Sequence, residues 1–162
     1  MRDTRSPGFT IIELLIAVAI LGIISMLAAP SFREFIIGSQ VRSGASDLYG
    51  SALLARSEAI KRNAAIDVVP SASGWAGGWT VKVNASGTVL ENHEALTNVT
   101  VTANASGNLS FRVDGRVSTN VRNFILSNSE FTTLAARCVY VDAAGRPSVR
   151  TDNDGNAANG CV

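Results

Sequence analysis

The stretch Gly8-Phe9-Thr10-Ile11-Ile12-Glu13-Leu14-Leu15-Ile16-Ala17-Val18-Ala19-Ile20-Leu21-Gly22-Ile23-Ile24-Ser25-Met26-Leu27-Ala28-Ala29-Pro30 decides how the rest of the chain is read. Between Phe9 and Ala29 only Glu13 is charged, and the run matches the roughly 20 residues a helix needs to cross a hydrocarbon core. Arg2 and Arg5 precede it, which predicts a cytoplasmic N-terminus and an exported remainder. A secretory signal cut near Ala28-Ala29 accounts for the apolarity, and so does a plain membrane anchor. Neither accounts for Glu13, because a carboxylate at membrane depth costs roughly 2.5–3.5 kcal/mol on insertion scales and its default reading is functional.

Working outward, the residues beyond Pro30 keep a helical period. Phe32, Phe35, Ile36, Val41, Ala45, Leu48, Ala52, Ala55 and Ala59 recur at spacings of three to five. Arg33, Gln40, Arg42, Ser43, Asp47, Ser51, Arg56 and Lys61 fall on the opposite side. An amphipathic helix is expected to end near Arg62-Asn63, with Gly38, Gly44 and Gly50 as weak points. Its apolar stripe suits packing on a sheet.

After Asn63 the period shifts toward alternation, and Gly, Ser, Asn, Thr and Val dominate. Strands are expected at 65–69, 79–84, 99–103, 109–113, 123–127, 137–141 and 148–150. Turn signals lie between them, including Ser73-Gly74, Gly77-Gly78, Asp114-Gly115 and Ala144-Gly145. The fold class is therefore α+β, with an antiparallel β-sheet domain packed on a long N-terminal helix.

The balance of charge excludes a bulk polyanion-binding surface: 14 basic residues face 13 acidic ones. The two cysteines, Cys138 and Cys161, follow a membrane segment, so an oxidising compartment and a disulfide are expected, with two free thiols as the alternative. Such a bridge restricts the unfolded chain by roughly 3 kcal/mol. No cofactor or metal is implied. Two cysteines and the lone His93 make a poor ligand set, and Asp152-Asn153-Asp154-Gly155 lacks the downstream acid of a calcium loop. Trp75 and Trp79 read as core or sheet-edge residues, and His93-Glu94 as a solvated loop. No catalytic constellation is visible.

Gly8-Phe9-Thr10 followed by Ile11-Ile12-Glu13-Leu14-Leu15, with Pro30 in place, resembles the signal of type IV prepilins and pseudopilins. The resemblance implies that a membrane-embedded prepilin peptidase cuts between Gly8 and Phe9 and methylates the new amine. Residues 1–8 are then a leader, 9–29 a transmembrane and filament-core helix, 30–63 the amphipathic helix and 64–162 a periplasmic domain. The cationic amine of Phe9 would lie one turn from Glu13, and Glu13 could neutralise the Phe9 amine of a neighbouring subunit, setting axial register. The implied location is the inner membrane, then a filament, at its tip. The implied partners are other minor and major pilins or pseudopilins.

A narrower resemblance is to the GspH/FimT family. It rests on Ala55-Arg56-Ser57-Glu58-Ala59-Ile60-Lys61-Arg62-Asn63, Gly74-Trp75-Ala76-Gly77-Gly78-Trp79, Asp114-Gly115-Arg116, and Cys138-Val139 followed by Gly145-Arg146-Pro147. It implies a minor pilin that primes or caps a type IV pilus, or a pseudopilin of a type II secretion system. Some members of this type bind DNA in transformation through a Gly-Arg-x-Arg element. Here Gly145-Arg146-Pro147-Ser148-Val149-Arg150 departs from that spacing, and alternation would put Arg146, Ser148 and Arg150 on one face as a small phosphate comb.

Overall fold

The computed structural model describes residues 9–131 and 133–154, with side chains there except at 27–29. One helix, α1, runs Ile11–Arg62 with Pro30 inside it. It is followed by β1 (Ile66–Ser71), β2 (Gly74–Val83), β3 (Val89–His93), β4 (Thr100–Ala103), β5 (Leu109–Phe111), β6 (Asn123–Ser127), β7 (Ala136–Val141) and β8 (Pro147–Asp152). The strands form two four-stranded antiparallel sheets, in the orders β3-β2-β1-β5 and β4-β6-β7-β8. The chain divides into two compact units, Met1–Phe35 and Ile36–Val162.

In the second unit the helix buries Ile37, Val41, Ala45, Leu48, Ala52, Ala55 and Ala59. Four alanines in this stripe, with Gly44, let the sheets come close. A Cβ at Gly44 would meet Leu96 and Leu126 methyls at 3.2–3.3 Å, so this glycine is a packing residue rather than a weak point. Gly50 faces open space and keeps only its cost to the helix. The expected start of the stripe is corrected: Phe32 and Phe35 are each 65% exposed and Ile36 is 40% exposed, with Ile37 buried instead. Three consecutive apolar residues, Phe35-Ile36-Ile37, do not fix the phase of a helix by themselves.

The helix stops as its sequence suggests. Asn63 takes a left-handed φ of 50°. The Ala64 N–H donates to the Ala59 carbonyl at 3.2 Å and the Asn63 N–H to the Ile60 carbonyl at 3.4 Å, the pairing of a Schellman cap.

Sheet residues facing the helix complete one core: Ile66, Val68, Val81, Leu109, Phe111, Phe124, Leu126, Val139 and Val141, with both tryptophans. Trp75 on β2 meets Phe124 on β6 edge-on at 4.7 Å, joining the two sheets. Two strand expectations are corrected. Gly77-Gly78 is not a turn but lies inside β2, and the hairpin turns at Ala72-Ser73 instead. Gly78 is glycine because its φ is +92° and a Cβ would overlap the carbonyl of His93 on β3. The segment 89–93, given no strand by its weak apolar alternation, pairs with β2 in the register Trp79↔His93, Thr80↔Asn92 and Val81↔Glu91.

Candidate assembly and processing site

Gly8, on the leader side of the expected cleavage, lies outside the described residues. Phe9 is 84% exposed. Thr10 precedes the helix and caps it. Its N–H and hydroxyl both donate to Glu13 Oε2 at 2.9 Å, while the Glu13 N–H donates to Thr10 Oγ1 at 3.3 Å. This is a reciprocal capping box, Thr-x-x-Glu, satisfying donors that the first turn leaves unpaired. The carboxylate singled out as an assembly charge therefore also has an intramolecular job. The Thr10-Ile11-Ile12-Glu13 spacing was the signal for it.

Every large apolar side chain described from Ile11 to Met26 is at least half exposed. The helix offers lipid or another subunit a surface it cannot bury in its own first unit. By length and composition the segments Ile11–Met26 and Pro30–Arg62 qualify together as a candidate membrane span, and neither does alone.

Within the second unit, the family-like motifs converge. The turn Asp114-Gly115-Arg116 closes with the Gly115 N–H on the Arg112 carbonyl at 2.8 Å, and Gly145 closes on Asp142 in the same way at 2.8 Å. Gly115 and Gly145 have φ of +74° and +78°, and the two turns lie back to back: a Cβ on Gly145 would overlap the Gly115 carbonyl oxygen. Gly115 in turn abuts Ile60 and Arg56, the end of α1. The sequence motifs thus mark one docking point where the end of the helix meets the β4–β8 half of the domain.

Arg146 sits in this turn, ahead of β8. Its guanidinium pairs with Asp142 at 2.8 Å, and its backbone N–H donates to Asp142 Oδ1. These bonds, the backbone one first, hold the Asp142 carboxyl below its ordinary value of 3.8. Arg150 is exposed on β8, opposite Cys138, and Ser148 is half-buried and donates to the Tyr140 carbonyl. Arg146, just ahead of β8, and Ser148 and Arg150 on it stand at alternating positions, with Arg146 engaged by Asp142 and Ser148 by the Tyr140 carbonyl.

Cys138 is fully buried and disulfide-bonded; its expected partner, Cys161, lies outside the described residues. His93 is corrected from solvated loop to a packed position at the end of β3. It stacks on Trp79 at 4.1 Å and 8°, and its Nε2 lies 3.3 Å from Asp47 on α1. Ser51, expected on the polar face of the helix, is 1% exposed. It accepts the Trp79 indole N–H at 2.9 Å and donates to Glu91 Oε1 at 2.6 Å. A buried indole needs an acceptor, and the helix supplies it.

A methylatable leader, an apolar helix and a helix-on-sheets domain define a pilin-like filament subunit. The prokaryotic N-terminal methylation motif matches residues 4–29, and the model of the type II transport protein GspH matches residues 44–145. The chain belongs to the GspH family. Its family and fold are those of pilins and pseudopilins, which are structural proteins and not enzymes. The type IV major fimbrial protein FimA of Dichelobacter nodosus is 49% identical over 39 residues, 24% of either chain. The chain thus aligns with about a quarter of the length of those curated relatives. The type IV minor pilin FimU of Pseudomonas aeruginosa shares the fold, with a TM-score of 0.60 at 23% identity over 76% of this chain and 96% of that one. A second crystal form of FimU gives 0.57 at 24% identity, covering 75% and 99%.

Proposed function

We propose that this chain is a minor pilin of a type IV pilus, built in through its N-terminal helix and priming or capping the filament. The observation that carries the reading is the join of a methylation motif to an exposed apolar helix whose single charge is Glu13. The prepilin peptidase cuts after Gly8 and methylates Phe9. Before assembly residues 9–29 hold the chain in the inner membrane with residues 64–162 in the periplasm. Withdrawn from lipid, the apolar helix is buried against the helices of other pilins. There the Glu13 carboxylate meets the Phe9 amine of a neighbour, a pair that is tolerable in an apolar core where either charge alone is not. Cys138 and Cys161 close the C-terminal segment onto β7.

The FimU likeness in fold favours the pilus setting. The description of the matching family favours a second reading, a pseudopilin of a type II secretion system. Deletion of the gene distinguishes them. Loss of surface pili and twitching with intact secretion is the expected result. Loss of secretion with normal piliation would move the chain to the second reading. Arg146 and Arg150 bring no comparable support to the DNA-binding reading, given the Asp142 pair.

A further inference from the structure

Arg137 occupies an unusual place on β7. It shares a side of the strand with Val139 and Val141, which face the helix in the core, and it pairs in register with the buried Leu126. An apolar residue would fill that position at no electrostatic cost. Instead Arg137, fixed by an Nη1 hydrogen bond to Thr151 at 2.9 Å, lines a cleft of about 220 Å³ together with Arg42, Ser46 and Val149. The Ser46 hydroxyl donates to the Arg42 carbonyl, and the charged groups among the residues lining the cleft are the two arginines. Among the described residues, no acidic one lines it and the Arg42 guanidinium has no hydrogen bond or ion pair. Arg42 is exposed and Arg137 half-buried, so the two like charges repel and the Arg137 charge is the one that stays costly until paired.

We propose that the Arg42–Arg137 cleft is a carboxylate site, filled by an acidic side chain of a protein partner. Guanidinium forks match a carboxylate in geometry and in charge. The Val149 wall, 39% exposed, suits the methylene stem of an aspartate or glutamate better than a fully hydrated ion. Val149 belongs to β8, an edge strand of its sheet, where a partner chain can approach. The inference goes beyond the filament reading and does not depend on it.

The test uses the full chain in nonionic detergent, with thermal unfolding followed in glutarate, in inorganic phosphate and in chloride at matched ionic strength. Glutarate at about ten times its Kd should raise Tm by roughly 3–5 °C over chloride. Arg137→Gln and Arg42→Gln should each abolish that shift, while Arg150→Gln keeps it. Arg42 is at an exposed helix position, so its variant folds even if the Arg137 variant does not. In chloride alone, Arg42→Gln should not lower Tm, because it removes a repulsive neighbour. A glutarate response no larger than chloride's, one that survives Arg42→Gln, or a response to phosphate without one to glutarate would each overturn the proposal. Piliation does not enter the measurement, so its failure leaves the pilin reading standing.

Discussion

Replacing Ser51 with alanine tests the packing of the helix on the sheets through the sign of the change. If Ser51 lay on the solvated face, where helical periodicity alone puts it, alanine would stabilise the chain by about 0.5 kcal/mol through helix propensity. In the structure Ser51 is buried and is the acceptor for the Trp79 indole N–H. Alanine leaves that donor buried and unpaired, at a cost of about 1–3 kcal/mol. Glu91 also loses its bond to the hydroxyl, but it is half-exposed and recovers water. Set against the propensity gain, the net loss is about 0.5–2.5 kcal/mol, or roughly 1–10 °C in Tm for a domain of this size. Urea unfolding in nonionic detergent, followed by the emission of the buried Trp75 and Trp79, reads the change directly. Ser43→Ala, at an exposed helix position, is the control and should stabilise slightly. In a Trp79→Phe background the donor is gone, so Ser51→Ala should cost less than about 0.5 kcal/mol. A Ser51→Ala variant as stable as the parent would refute the buried network.

Gly145→Ala should unfold or severely destabilise the domain, since the new Cβ would overlap the Gly115 carbonyl at a left-handed φ; Gly50→Ala, which meets nothing, should instead add about 0.5–1 kcal/mol by the same urea titration. The depressed carboxyls set the acid limb. Asp142 is held below 3.8, first by the Arg146 backbone N–H, and Glu58 below 4.5, first by Arg62, so their contribution is present above those values and lost as pH falls through the folded ones. Urea midpoints should therefore decline below about pH 4, and Asp142→Asn should lower the neutral-pH midpoint while flattening that decline. Glu13→Gln should retain the helix cap, because glutamine fills the third position of a capping box, yet fail to enter sheared filaments; normal incorporation would show that the charge is not needed.

What was legible in the sequence was whatever a contiguous pattern or a fixed turn geometry carries. The apolar run, Glu13 and Pro30 needed no tertiary information, and neither did the stripe from Val41 to Ala59. The positive-φ turns at Gly115 and Gly145 announced themselves as Asp-Gly and Ala-Gly signals. The places that misled share one cause: a neighbour distant in sequence decided them. Ser51 is a polar residue turned inward by an indole on β2. His93 is held by that same Trp79 and by Asp47 on the helix. The strand 89–93 exists because β2 offers it an edge, and Gly77-Gly78 is extended for the same reason. The Thr10–Glu13 cap was readable, but the cost of a carboxylate in lipid drew the whole interpretation of Glu13. Arg42 and Arg137 come to line one cleft only once the helix lies on the second sheet.

The central claim is that the chain is processed and assembled as a pilin, and the mass of the mature chain recovered from cells tests it most directly. A chain that begins at Phe9 with a methylated amine, recovered in both the membrane and the sheared-filament fractions, is the predicted result. A chain that still begins at Met1, or one cut near Ala28-Ala29 and released from the membrane, would contradict it.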